Sequence, residues 1–196
     1  PRYELVHKKA VLDILGNRLL DLALKAKKAN MGLNIDAEEA ARLDLSLDII
    51  EKVFSNPLLS GWNGFGVVVQ SYSKRTLFVI DWLYALSSKY DQKIMVRLVK
   101  GAYWDTEIKI SQSEGMLDFP VFTSKAATDI SYLACASKLF EMTDYIFPQF
   151  ATHNAHTIYS ILKIAKKNKN YEFQRLHGMG ESLFSQLMQN HKIKCR

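Results

Sequence analysis

The sequence predicts an α/β fold, specifically a (β/α)8 TIM-type barrel, of which this chain is an incomplete central portion of about five βα units. Three observations carry the prediction. Apolar periodicity switches repeatedly between strand-like and helix-like along the chain. The strand-like runs are apolar on both faces, as in a parallel sheet covered by helices. Polar residues stand at the carboxyl ends of different strands: Asp36, Gln70, Arg97, Thr152 with His153, and Gln174 with His177. That is where a barrel gathers its ligand-binding groups. The competing architecture, a doubly wound nucleotide domain, would show a Gly-rich turn after an early strand, and neither G-x-G-x-x-G nor a Walker A loop is present. A whole barrel needs eight units and about 250 residues. Five units in 196 residues read as the middle of one.

The elements follow in order. Residues 5–29 carry leucine, valine and alanine at helical spacing. Residues 31–36 (MGLNID) form a short strand, and 37–55 a helix stopped by Asn56–Pro57. The near-continuous apolar run 64–70 (GFGVVVQ) is a strand and 74–90 a helix. Strand 94–99 is followed by a short helix over 105–113 and a longer one over 124–142. Strand 145–152 leads to helix 155–167, and strand 171–177 to helix 181–189.

Composition narrows the class. Hydrophobic residues make up 48% of the chain, enough for a sizeable core and too many for a disordered segment. No apolar run reaches the roughly 18–20 residues of a membrane span. The opening PRYELVHKK is charged, has no initiator Met and no signal-like character, and reads as the start of a piece cut from something longer. Two cysteines make neither a disulfide framework nor a zinc spacing, and a reducing cytoplasm fits them best. Cys135 reads as a small core residue. The net charge of +6 comes from basic runs at 25–28, 163–169 and 192–196. These fall at helix ends or in loops, where cations suit the helix dipole, and lack the aromatic interleaving of a nucleic-acid site.

Met95–Asp105 (MVRLVKGAYWD) is the most informative stretch. A single cation, Arg97, is embedded in an apolar strand that breaks at Gly101 into Tyr103–Trp104. An unpaired charge there costs roughly several kcal/mol, so Arg97 needs a partner. It is either a ligand-facing arginine or one salt-bridged in the barrel core. Asp36, with Glu39 three residues on, fits a capping box at the start of the next helix, or a carboxylate in the barrel mouth. The Gln70 amide suits the edge of a planar heterocycle, or a core hydrogen bond. In ATHNAH the two histidines have no third ligand at matching spacing, so metal is not expected, and donors around a helix start fit an anionic ligand better. HGMG (177–180) provides glycines for positive φ or close backbone approach. Lys125, after Thr123, reads as a phosphate contact or a solvated lysine.

The strings GLNIDAEEA, GWNGFGVVVQSY, VRLVKGAYWD, TDISYLACASKLF, PQFATHNAHT and YEFQRLHGMGE resemble the proline dehydrogenase domain of the bifunctional bacterial proline utilization A flavoenzymes. The likeness runs in one order from Pro1 to Arg196. It implies a distorted barrel that binds FAD at its carboxyl face and oxidises L-proline to Δ1-pyrroline-5-carboxylate. Hydride passes from C5 of the unprotonated amine to flavin N5, and electrons then pass to a membrane quinone. Residue by residue, it implies Arg97 beside flavin N5, Gln70 on the isoalloxazine, and Val99, Gly101 and Ala102 along the ring, with Trp104 an aromatic contact. Thr123 and Lys125 match the pyrophosphate and ribose region, and Thr152, His153, Asn154, Gln174 and Leu176 match further cofactor contacts. Asp36, Tyr103 and Leu176 match the proline pocket, and Arg97, Asp36 and Tyr103 are the expected catalytic group.

The chain departs from that pattern at Ser124, usually arginine, and at Ala126–Ala127, usually bulkier, which weakens or replaces one cofactor phosphate contact. The resemblance also places the first barrel strand, with an active-site lysine, before Pro1 and the last barrel units after Arg196. After Arg196 it places a pocket tyrosine, a paired-arginine clamp for the proline carboxylate and a cofactor-binding glutamate. The isolated piece is therefore expected to be weak or inactive. An aldehyde dehydrogenase domain and peripheral attachment to the inner membrane face belong to the longer protein, and no nucleic acid is expected to bind this segment. The alternative is a non-catalytic barrel fragment that binds a partner or oligomerises through its open sheet edges. A barrel enzyme for a phosphorylated substrate fits less well, because no Gly-rich loop lies late in the chain.

Overall fold

The computed structural model describes residues 3–196, so Pro1 and Arg2, the start of the expected domain span, lie outside the described residues. Five strands, β1 (Leu33–Ile35), β2 (Phe65–Gln70), β3 (Ile94–Val99), β4 (Ile146–Ala151) and β5 (Glu172–Gln174), pair in parallel in the order β1-β2-β3-β4-β5. Each connection steps to the next strand in the same direction. Right-handed crossovers then place all the helices on one face of the sheet, the arrangement of a barrel wall. A doubly wound sheet would reverse its order at a switch point, and this one does not.

Hydrogen bonds across the other face show that the sheet curls. In a flat sheet β1 and β4 would be about 14 Å apart. Asn34 on β1 nonetheless donates directly to Gln149 on β4 at 2.8 Å. Gly66, the β2 neighbour of Asn34, makes room for that side chain, since a Cβ there would lie 2.3 Å from Asn34 Oδ1.

Alternation along the strands separates core from interior. Val67 and Val69, Ile94, Val96 and Leu98, Ile146 and Phe150, and Phe173 point outward into one apolar core with the helices. Those helices are α1 (Lys8–Lys28), α2 (Leu43–Phe54), α3 (Thr76–Lys89), α4 (Trp104–Ser113), α5 (Lys125–Glu141), α6 (Ala155–Ala165) and α7 (Glu181–His191). The aromatic side chains of Phe140, Phe150, Tyr171 and Phe173 meet in tilted and edge-to-face pairs beneath α5 and β5. Cys135 is fully buried in this core, as the sequence implied, and burial pushes its thiol pKa up to about 11. No helix among the described residues is long and apolar enough to cross a membrane.

The helix expected over 37–55 is corrected. Residues 37–39 are not helical; a 3-10 turn begins at Ala40 and α2 only at Leu43. The capping box at Asp36 and Glu39 does not form, because neither side chain caps the turn. The Ala40 N–H is instead accepted by Glu107 Oε1 of α4 at 2.6 Å, so a long-range carboxylate replaces the local cap. Beyond β5, Lys194–Arg196 run alongside it and exchange backbone hydrogen bonds with Phe173 and Arg175, extending the parallel ladder.

Candidate active site

The carboxyl ends of the strands open into a cleft of about 870 Å³, within the range of cofactor sites. It is lined by Asp36, Gln70, Arg97, Val99, Gly101, Ala102, Tyr103, Thr152, His153, Asn154, Gln174 and Leu176, twelve of the fifteen residues that the resemblance assigned to the site, while His177 lies outside it. Trp104, Thr123 and Lys125 lie outside the lining.

Arg97 is the focus. Its inward position on β3 leaves the side chain 29% exposed, and its Nε–H donates to Gln174 Oε1 at 2.6 Å. One terminal nitrogen meets Asp36 Oδ1 at 3.2 Å. The two sequence alternatives for Arg97 therefore coexist: it is ion-paired, and it faces the cleft. Asp36, 77% exposed, is the mouth carboxylate of that pair. The guanidinium commits two of its five donors to these bonds.

Gln70 ends β2 and ties two loops together. Its Nε2 donates to Glu38 O at 2.8 Å and its Oε1 accepts from Ala102 N at 3.1 Å. The ladder between β2 and β3 continues past their ends, with Ser71 N donating to Val99 O and Tyr72 N to Lys100 O, each at 2.8 Å. Gly101 packs onto the Tyr72 ring with φ +140°, and a Cβ there would sit 2.5 Å from that ring. The Tyr72 hydroxyl pKa is pushed up to about 12 by burial. Tyr103 donates to Glu38 Oε2 at 2.9 Å, and that hydrogen bond raises its pKa above the ordinary tyrosine value.

On the far wall, Asn154 caps α6 by accepting from Thr157 N at 2.9 Å, and Thr152 Oγ1 accepts from Asn154 N at 3.2 Å. His153 Nε2 accepts from Leu176 N at 3.0 Å and so fixes the loop after β5. Gly178 and Gly180 take the positive φ that HGMG suggested, and Gly180 starts α7. Trp104 Nε1 donates to Phe122 O at 2.9 Å. Lys125 and Lys100 both grip Asp129, at 2.9 and 2.5 Å, and hold its carboxyl below the usual aspartate range. Ser124 begins α5 without a side-chain cap, leaving the first-turn N–H groups free of one. Among the described residues, no three His, Cys, Asp or Glu side chains come together as a metal set.

Three interior residues went unread in the sequence. Glu172, 5% exposed, accepts from Gln149 Nε2 and Gln174 Nε2 at 2.9 and 2.8 Å. Gln149 in turn accepts from Asn34. Their signal was a polar residue at an inward strand position, in GLNID, FPQFA and YEFQ.

A curled parallel sheet with a cation, amides and a carboxylate gathered at its carboxyl ends defines a barrel-type enzyme domain with a cofactor-sized cleft. The family described as "Proline dehydrogenase" matches residues 2–196, and the chain belongs to that family. It is 52% identical over 191 residues to the "Bifunctional protein PutA" of Klebsiella aerogenes, a match that covers 96% of this chain and 15% of that protein. A crystal structure of a Bradyrhizobium japonicum proline utilization A mutant superposes with a TM-score of 0.98 at 52% identity, over 100% of this chain and 20% of that one. The Bdellovibrio bacteriovorus protein inactivated by N-propargylglycine gives a TM-score of 0.90 at 30% identity, covering 96% of this chain and 20% of that one. The chain thus spans about a seventh of the curated relative's length.

Proposed function

We propose that this chain forms the FAD- and proline-binding part of an enzyme that oxidises L-proline to Δ1-pyrroline-5-carboxylate. The observation that carries the reading is Arg97, a cation with unspent donors at the centre of a cleft of about 870 Å³. The donor set fits a flavin dinucleotide. Gln70 retains one donor and one acceptor position, Gly101 lets backbone come close, and the uncapped start of α5 suits a phosphate.

FAD, when bound, supplies the acceptor for the hydride that leaves proline C5. This chain's residues orient the reactants and set the field. The fixed charge of the Arg97 guanidinium favours negative charge developing beside it. Gln70, Val99, Gly101, Ala102, Thr152, His153, Asn154 and Gln174 would hold the cofactor, with Trp104, Thr123 and Lys125 flanking it. Asp36, Tyr103 and Leu176 would line the proline pocket. The Tyr103–Glu38 bond holds the 101–104 loop against the loop after β1. No covalent nucleophile is required, since positioning and electrostatics carry the step. The relatives' name, bifunctional protein, supports a second activity elsewhere on a longer polypeptide. A quinone acceptor, an aldehyde dehydrogenase partner domain and peripheral membrane attachment complete the proposal.

The test is an absorbance spectrum of the purified protein with FAD, before and after anaerobic L-proline. Bound flavin that bleaches with proline supports a working site. Bound flavin that does not bleach limits this chain to cofactor holding. Absence of bound flavin defeats the reading.

A further inference from the structure

We infer that Glu172 is a positioning residue: by fixing the Gln174 amide it aims Arg97 into the cleft. The inference rests on the flavoenzyme reading for its consequence, and on hydrogen-bond direction for its content. A carboxylate only accepts. Glu172 Oε1 takes the NH2 groups of both Gln174 and Gln149, at 2.8 and 2.9 Å. Both amide oxygens must then face away from it. The Gln174 oxygen meets Arg97 Nε–H at 2.6 Å, and the Gln149 oxygen meets Asn34 Nδ2 at 2.8 Å.

Were the Gln174 amide reversed, its NH2 would confront the Arg97 N–H, donor against donor. Glu172 excludes that state because it offers no hydrogen to the amide oxygen. At 5% exposure, water cannot readily replace it as the acceptor. Glu172 itself is anchored on β5, with Arg196 approaching its other oxygen at 3.7 Å. The relay therefore runs Glu172, Gln174, Arg97, and ends at Asp36 on the mouth. Glu172 touches none of the expected ligand positions directly, since it does not line the cleft.

The test reads Arg97 itself. Arginine Nε–H signals in a ¹⁵N correlation spectrum report their exchange with water, and Gln174 should protect that of Arg97. E172Q keeps the side-chain length but brings an NH2 that can donate to the Gln174 oxygen, so the reversed amide is no longer excluded and protection should fall. E172D keeps the charge but retracts the carboxylate by about 1.5 Å, one carbon–carbon bond. Protection should fall at least about tenfold, the worth of one hydrogen bond to a charged group. Unchanged exchange in folded E172Q, or in folded E172D, overturns the inference. If E172D does not fold, E172Q alone decides in the same way. FAD titration of the unsubstituted protein tests the other half separately. No binding defeats the flavin reading, while the Nε–H measurement still decides what orients Arg97.

Discussion

Substituting Gly101 by alanine tests how the loop beside Arg97 is built. Gly101 sits at φ +140°, where a residue with a Cβ is strained by about 1–3 kcal/mol. The added Cβ would also lie 2.5, 2.6 and 2.6 Å from three atoms of the Tyr72 ring. That ring cannot yield easily. It is 4% exposed, and its backbone is pinned by Tyr72 N to Lys100 O and Phe122 N to Tyr72 O, each at 2.8 Å. Overpacking of this kind costs about 1–3 kcal/mol more. G101A should therefore lose about 2–6 kcal/mol in urea denaturation, a large share of the stability of a typical domain. G115A is the control: φ is +65° there and nothing lies within 4 Å, so only the backbone term of about 1 kcal/mol remains. Combining G101A with Y72A should recover the packing part, making the pair non-additive by at least about 1 kcal/mol. A G101A loss no larger than that of G115A, or simple additivity with Y72A, would refute the packing argument.

Other expectations follow from the same contacts. E107A removes the carboxylate that caps Ala40 and should cost about 1–2 kcal/mol by chemical denaturation, as loss of a helix cap does. Asp129 is held below the ordinary aspartate value by Lys100 and Lys125. Its contribution to stability is present above about pH 4 and drains as pH falls toward the depressed native value, so D129N should flatten the acid limb of a stability–pH curve. Tyr72, at about 12, remains protonated in the native state after an ordinary tyrosine has ionised. Its stabilisation is lost as pH rises from about 10 toward that value, and Y72F should remove one late-titrating phenol, near pH 12, from an ultraviolet titration of the folded protein.

Much of this architecture is legible along the chain because each strand is short, apolar and followed by a helix of matching period. The span of β3 reads directly, since Ile94–Val99 is bounded by polar residues before it and by Lys100–Gly101 after it. The cleft is legible for a related reason: side chains at strand ends face either the barrel mouth or solvent, so a polar residue after an apolar run stands out. Gln70 and Gln174 were visible on that basis, and Arg97 as the single cation embedded in an apolar strand. The start of α2 was not. Asp36, Glu39 and the intervening alanine and glutamate satisfy a local capping pattern, yet Asp36 is drawn to Arg97 and Glu107 takes over at Ala40. Both competing bonds come from residues more than sixty positions away. Glu172 and Gln149 escaped for the opposite reason. Gln149 lies mid-strand in β4 and Glu172 at the amino end of β5, both away from the barrel mouth, and only curling of the sheet brings Gln149 to Asn34 across the interior.

The central claim is that the cleft around Arg97 seats the flavin. The most direct measurement is an FAD titration of the purified protein beside its R97M variant, with both shown to be folded by circular dichroism. The account predicts that the parent binds FAD and that R97M binds it at least about tenfold more weakly, the loss expected for a charge-assisted contact. Equal affinity in the two proteins, or no binding by the parent, would contradict it.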